Sequence, residues 1–259
     1  MNPVRPGYLL FVGVGVAIAL AFPVMRHIRD QHLRRKYYLL QTITLIGAVV
    51  GAKLSVLLGD YHWPWAAVSD WGNILWSGRS ITGALIFGFL FAELAKPLVG
   101  YTMPPNDRFA ALLPFTIAIG RVGCLTAGCC GGIPYAGWCA LPGADGLPRY
   151  PAQVFEIIFH LAIGILFVVM VKRRLLFGRL FSFYLIAYGI FRFFTEFVRE
   201  TPKFYGGLSG YQLLALGMIP LGAAFFLKRT FAPPATWCDF HNEALVQRAS
   251  PATVEAPHV

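Results

Sequence analysis

Apolar runs of bilayer length, with the charges gathered into short blocks between them, limit this 259-residue chain more than any other feature. No charged residue occurs from Tyr8 to Met25 or from Phe204 to Leu227. A helix rises about 1.5 Å per residue, so about 20 apolar residues cross a hydrocarbon core of about 30 Å. With 57% hydrophobic and 13% charged residues and a mean hydropathy of +0.61, a soluble globular domain is a poor fit. The pattern predicts an all-α, polytopic integral membrane protein with seven transmembrane helices. They fall at about 7–25, 37–58, 80–100, 109–125, 151–171, 180–198 and 207–227. The first run lacks a clear small-residue cleavage site and is followed by further spans, so it is expected to remain as a span. Residues 1–229 then form one membrane domain. The polar, Pro- and Ala-rich stretch 230–259 is expected to be a disordered cytoplasmic tail.

The net charge of +10 invites a nucleic-acid reading, but its placement argues against one. Arg26, Arg29, Arg34, Arg35 and Lys36 lie between the first two spans. Lys172, Arg173, Arg174 and Arg179 lie between the fifth and sixth, and Lys228 and Arg229 follow the last. With seven spans all three blocks face the same side, which the positive-inside rule makes cytoplasmic. The N-terminus is then outside. The opposite loops carry Trp63, Trp65, Trp71, Trp76 and Trp138, as expected of rings resting at an interface.

The middle spans are interrupted by Lys53, Glu93, Lys96, Arg121, Glu156 and Arg192. Ionisable groups at membrane depth are costly and mark candidate functional sites. In the sixth span Tyr188, Arg192, Glu196 and Arg199 are spaced by 4, 4 and 3, on one face of a helix. Glu196 can pair with either arginine, and an arginine fork matches two phosphate oxygens as lysine cannot. The plainer reading is a pair of salt bridges at a helix end.

Arg121 stands in a glycine-rich segment with Gly120, Gly123, Gly128, Gly131 and Gly132. Such backbone suits a loop folding round a headgroup, or simply an external loop of small residues. Pro151 opens the fifth span and puts Gln153 and Glu156 on one face, where Glu156 could orient an arginine or serve only as a buried counter-ion. His160, one turn on, reads as a core histidine.

In this order the three patterns resemble the prolipoprotein diacylglyceryl transferase family. Gly120-Arg121-Val122-Gly123 opens that family's Gly-Arg-x-Gly-Asn-x-x-Asn-Gly-Glu signature. Pro151, Gln153 and Glu156 meet its Pro-x-Gln-x-x-Glu. Tyr188, Gly189, Arg192, Glu196 and Arg199 meet its Tyr-Gly-x-x-Arg-x-x-x-Glu-x-x-Arg, and Leu208 to Gln212 is loosely similar to its Ser-x-Gly-Gln segment. The resemblance covers about residues 5–227. It implies transfer of a diacylglyceryl group from phosphatidylglycerol to the lipobox cysteine of prolipoproteins in the bacterial inner membrane. The partners implied are phosphatidylglycerol, prolipoprotein signal peptides and membrane lipids.

On that reading Arg121, Arg192, Glu196 and Tyr188 are catalytic. Gly120, Gly123, Gly128, Gly132, Gln153, Glu156 and Arg199 bind substrate. The departures are specific. Cys124 and Ala127 replace the signature's two asparagines and Cys129 its acidic residue. Thr82 stands where the family has the histidine that is a candidate base for the acceptor thiol.

Cys124, Cys129, Cys130 and Cys139 fall in or beside one outer loop, on the oxidising side. Their even number suggests disulfides or a redox role, with bridges from Cys129 and Cys130 to Cys124 and Cys139. Cys-x4-Cys-Cys-x8-Cys is not a usual closed zinc spacing, so no metal is expected, although a zinc site stays open, as does a catalytic thiol, for which no activating base stands nearby in the sequence. No cofactor is called for either. Two other readings stay open: a related enzyme with a different acceptor, motivated by Thr82, and a non-catalytic lipid-binding or thiol-redox membrane protein.

Overall fold

A computed structural model describes residues 10, 13–15, 17, 31–61, 72, 80–101, 107–173 and 175–231. The first predicted span (apart from Leu10, Gly13, Val14, Gly15 and Ala17), the four tryptophans 63–76 and the tail beyond Phe231 lie outside the described residues. Among the described residues six helices are long and apolar enough to cross a membrane. They are α1 (Gln31–Asp60), α2 (Ile81–Val99), α3 (Asp107–Thr126), α4 (Ala152–Lys172), α5 (Leu180–Thr195) and α6 (Gly210–Phe231). Each falls on a predicted span. The largest shift is at α1, which begins at Gln31 because its basic residues continue the helix ahead of the apolar run.

Local chemistry explains the ends. Ser80 is extended and its hydroxyl accepts the Gly83 N–H at 3.4 Å, capping α2. Gly100, at φ 64°, ends the same helix in the left-handed region. Pro97, Pro114 and Pro220 sit inside α2, α3 and α6, as membrane helices tolerate when neighbours satisfy the freed carbonyls.

The helices associate mainly as consecutive antiparallel pairs, α1 with α2, α3 with α4 and α5 with α6. Small residues set how closely they approach. A β-carbon on Gly164 of α4 would stand 2.9 Å from the Phe115 ring of α3. One on Gly189 of α5 would stand 2.9 Å from the Ala215 carbonyl oxygen, and one on Gly222 of α6 would stand 2.8 Å from that of Ser182. Helix α5 is central to the core. Its Leu180, Tyr184, Leu185 and Tyr188 are fully buried with Phe89 of α2, Phe167 of α4 and Met218 of α6. The Tyr184 and Tyr188 rings stack at 5.9 Å.

The polarity of the molecule is inverted relative to a soluble protein. Ile46, Val49, Ile158, Ile165 and Leu98 are exposed, while Arg121, Glu156, Arg192, Glu196 and Arg199 are buried. An outer apolar surface with a charged interior is what a lipid solvent selects.

The connection from α3 to α4 was expected to be irregular, but it holds a short antiparallel ribbon, β1 (Leu141–Pro142) with β2 (Pro148–Arg149). Asp145 and Gly146 (φ 78°) make its turn, and Arg149 returns to bond Asp145 at 2.7 Å and Glu200. The loop is pinned over the bundle by Gly132 N–H to Tyr150 O (2.8 Å) and Ile133 N–H to Val198 O (3.0 Å). The ends of the bundle differ in charge. Lys36, Lys96, Lys172, Arg179 and Arg229 gather at the far end, and Asp60, Arg121, Glu156, Arg192 and Tyr211 gather under the loop.

Close packing at Gly222 yields a test against Gly217, whose β-carbon would meet nothing within 4 Å. Gly222→Leu should destabilise the α5–α6 pair by about 1–3 kcal/mol through overpacking. Gly217→Ala should be neutral or stabilising by up to about 1 kcal/mol. Thermal unfolding of the detergent-solubilised protein reads both. Equal effects would show that the glycine contact does not set the helix spacing.

Candidate functional site

Glu156 is the hub of the polar end. It projects from the second turn of α4, fully buried, and its carboxylate meets three arginines from two directions. Arg121 of α3 approaches Oε2 through Nε. On Oε1, Arg192 Nη1 lies at 2.7 Å and Arg199 Nη1 at 3.0 Å. Glu196, also fully buried, holds the other side of the last two, with Oε2 2.8 Å from Arg192 Nη2 and 3.7 Å from Arg199 Nε. The expected pairing of Glu196 with both arginines is thus seen. Their shared bond to Glu156, from another helix, was not legible from spacing.

The helical face expected from Tyr188 to Arg199 changes character at its end. Helix α5 stops at Thr195, Glu196–Val198 form a 3-10 turn, and Arg199 is extended with φ −99° and ψ 146°. The tighter turn keeps Arg199 on the Glu196 side, and its backbone bridges to Gly132 of the overlying loop. Thr201 and Ser209 hydroxyls donate to Glu196 Oε1 at 2.6 and 3.3 Å, so that carboxylate is oriented by neighbours as well as by charge. Lys203 Nζ donates to the Glu196 carbonyl at 2.6 Å. Gln212 accepts the Ser209 N–H at 2.8 Å, which gives the loosely matched Leu208–Gln212 segment a bracing place.

Arg121, Arg192 and Arg199 open onto a cavity of about 340 Å³, together with Tyr188, Cys130, Thr82, Asp60 and Tyr211. Within the cluster the three guanidiniums exceed Glu156 and Glu196 by one charge, and the Asp60 carboxyl lines the same cavity. Tyr188 Oη is buried and has no hydrogen-bond partner among the described residues. It is therefore a donor available to a ligand oxygen. Asp60 and Tyr211 hydrogen-bond each other on the opposite wall, and the Arg192 guanidinium lies 6.0 Å from the Tyr211 ring centre.

The sequence did not single out Asp60 or Tyr211. An acid ending an apolar run, and an aromatic beside the Ser209-Gly210 pair, were the only signals available. Thr82, at the position of the family's histidine, does reach the cavity.

Other expected site residues stand behind the cavity rather than on it. Gln153 Nε2 donates to the Cys129 carbonyl at 2.6 Å. Gly128, at φ 66°, ends α3 and turns the chain back, and Gly132 permits the close approach of Val198 and Tyr150. Gly120 and Gly123 lie within α3 and do not line the cavity. His160 is fully buried, with Nδ1 3.1 Å from the Tyr184 hydroxyl, in keeping with a core histidine.

All four described cysteines are free thiols. Cys124, Cys129 and Cys130 place their sulfur atoms within 4.8 Å of one another, whereas Cys139 stands outside that group. Cys130 faces the cavity. Hydrogen bonds from the Cys124 and Cys129 thiols, and then the Arg121 and Arg199 guanidiniums, push its thiol pKa down.

Comparison with known proteins places the chain in a family. A family model described as prolipoprotein diacylglyceryl transferase matches residues 6–228. The chain is 33% identical over 197 residues to the phosphatidylglycerol–prolipoprotein diacylglyceryl transferase of Polynucleobacter asymbioticus, covering 71% of this chain and 74% of that one. It is 31% identical over 208 residues to the enzyme of that name from Bordetella parapertussis, covering 74% and 77%. It is 28% identical over 212 residues to the transferase 2 of Clostridium perfringens, covering 78% and 81%. A match along almost the whole bundle, with its signature arginines converging on one cavity, makes this multi-pass membrane protein a member of the prolipoprotein diacylglyceryl transferase family.

Proposed function

We propose that the chain transfers a diacylglyceryl group from phosphatidylglycerol to the cysteine thiol of a prolipoprotein lipobox, at the outer face of the bacterial inner membrane. The convergence of Arg121, Arg192 and Arg199 on one cavity at the end of a lipid-facing bundle carries this reading. A phosphodiester bears one negative charge, matching the excess of one positive charge of the three arginines over Glu156 and Glu196. The thiolate attacks the glyceryl carbon, a C–S bond forms, the C–O bond to phosphate breaks, and glycerol phosphate leaves with its pair of electrons. The phosphate goes from one negative charge towards two. Guanidiniums already fixed by Glu156 and Glu196 therefore bind the transition state better than the ground state. Tyr188 donates to a phosphate oxygen, and Arg199 completes the anion site.

The orientation follows from charge. The far end of the bundle carries the basic blocks and faces the cytoplasm, the site end faces outward, and seven spans put the N-terminus outside. Glycines 128 and 132 shape the loop over the site, while Gln153 ties α4 to that loop through the Cys129 carbonyl. Signal peptides reach the cavity from the outer leaflet.

Transfer from phosphatidylglycerol to a lipobox peptide in liposomes should fall about 100- to 1000-fold in Arg121→Ala, the scale of losing one preorganised anion contact. Unchanged transfer would remove Arg121 from the mechanism. Tyr188→Phe should lower the rate about tenfold, the scale of one hydrogen bond of about 1.4 kcal/mol. Its thermal stability should not fall, because the hydroxyl bonds no protein group; a matched loss of stability would make the tyrosine structural. In intact cells with a permeabilised outer membrane, a membrane-impermeant maleimide should label Cys139, followed by peptide mass. Protection of Cys139 until the inner membrane is breached would invert the topology.

A further inference from the structure

Cys124, Cys129 and Cys130 form a built site that the arginine chemistry does not use. Helix α3 carries Cys124 in its last turn, Gly128 reverses the chain, and the Cys129 N–H bonds the Cys124 carbonyl at 3.1 Å. Gln153 fixes the Cys129 carbonyl from α4. Cys130 is held at φ 62°, a left-handed conformation that a residue with a β-carbon rarely adopts without support. The result brings three sulfurs within 4.8 Å of one another, with Cys130 on the cavity wall beside Arg121 and Arg199.

We infer that this triad binds a zinc ion whose fourth position takes the acceptor thiol. A tetrahedral zinc with Zn–S of about 2.3 Å sets its sulfurs about 3.8 Å apart, so the three thiols need close by no more than about 1 Å. Three protein ligands and one open position is the pattern of catalytic rather than structural zinc. The absence of a closed four-cysteine spacing is therefore no objection, and Cys139 is not required. Three thiolates on a divalent ion carry one net negative charge, and the acceptor thiolate brings it to two, with the Arg121 and Arg199 guanidiniums beside Cys130.

The second half of the inference rests on the transferase reading. Thr82 offers a hydroxyl, a poor base for a thiol near neutral pH. Zinc removes the need for one, because a coordinated thiol loses its proton outright. That proton passes to water and is the one the overall reaction releases. The zinc-held thiolate forms the C–S bond, glycerol phosphate leaves, and the thioether, a weaker ligand than the thiolate, departs.

The full-length protein, purified in detergent, reduced and stripped by chelator, should bind one equivalent of Zn2+. Co2+ in its place should show thiolate-to-cobalt charge transfer. Cys124→Ser and Cys130→Ser should each weaken binding by at least about 100-fold, the upper end of what losing even an outer-shell partner costs. Cys139→Ser should leave the affinity unchanged. A lipobox peptide should shift the cobalt spectrum and its Cys→Ser counterpart should not, and transfer should fall at least tenfold on chelation and return with Zn2+. No stoichiometric binding by the reduced protein, or a cobalt spectrum indifferent to the peptide, would overturn the inference. So would a native disulfide joining Cys124 to Cys129 or Cys130, which would make the group a redox pair. A peptide-responsive cobalt site without any transfer would instead retain the thiol site and refute the transferase reading.

Discussion

The Glu156 carboxylate, buried among three arginines, is the interaction on which the rest of the site depends. Three guanidiniums converging in a low-dielectric interior repel one another, and each carries a large desolvation cost. Glu156 draws Arg121 from α3 and Arg192 and Arg199 from the α5 end to a single point, and Glu196 ties the last two from behind. The three guanidiniums are thus fixed by the protein's own carboxylates. Because the carboxylates number one fewer than the cations, the cluster is held together without being neutralised.

That cluster also explains the packing. Glu156 reaches the arginines only if α3 and α4 lie side by side and the end of α5 meets both. Helix α5 accordingly supplies the largest share of the buried core, with Tyr184 and Tyr188 packed among its fully buried residues. The glycine contacts at Gly164, Gly189 and Gly222 allow those approaches. The loop over α3 and α4 then closes on the same point, through the bridge between Gly132 and Arg199.

Span positions were legible in the sequence because lipid imposes length and hydropathy on a helix, and the six described helices fall on six predicted spans. The pairing of Arg192 and Arg199 with Glu196 was legible because it is local, set by helical spacing. Glu156 was read as a residue that could orient an arginine, but its meeting with all three was not legible, since periodicity carries no information about which helices touch. Asp60 and Tyr211 were missed for the same reason, as each gains its meaning only when α1 and α6 meet across the cavity. The ribbon between β1 and β2 was hidden by its two-residue strands, too short for any alternating pattern.

The residues that depart from the family pattern are not scattered. The arginines, Tyr188 and both glutamates, which would meet a phosphate, are kept. The changes fall at Thr82, Cys124, Ala127 and Cys129; Thr82 lines the cavity, and Cys124 and Cys129 adjoin Cys130 on its wall. Against the signature the chain resembles, an asparagine and an acid give way to soft cysteines and a histidine to a threonine, so under the proposed reading the change lies with the other reactant. Phosphate recognition needs fixed cations, and any alteration there would be costly. Generating a thiolate needs only a lowered pKa beside the glyceryl carbon, which a base or a thiophilic metal supplies equally well. The two halves can therefore diverge independently, and under the proposed reading the departures at Thr82, Cys124 and Cys129 belong to the acceptor half.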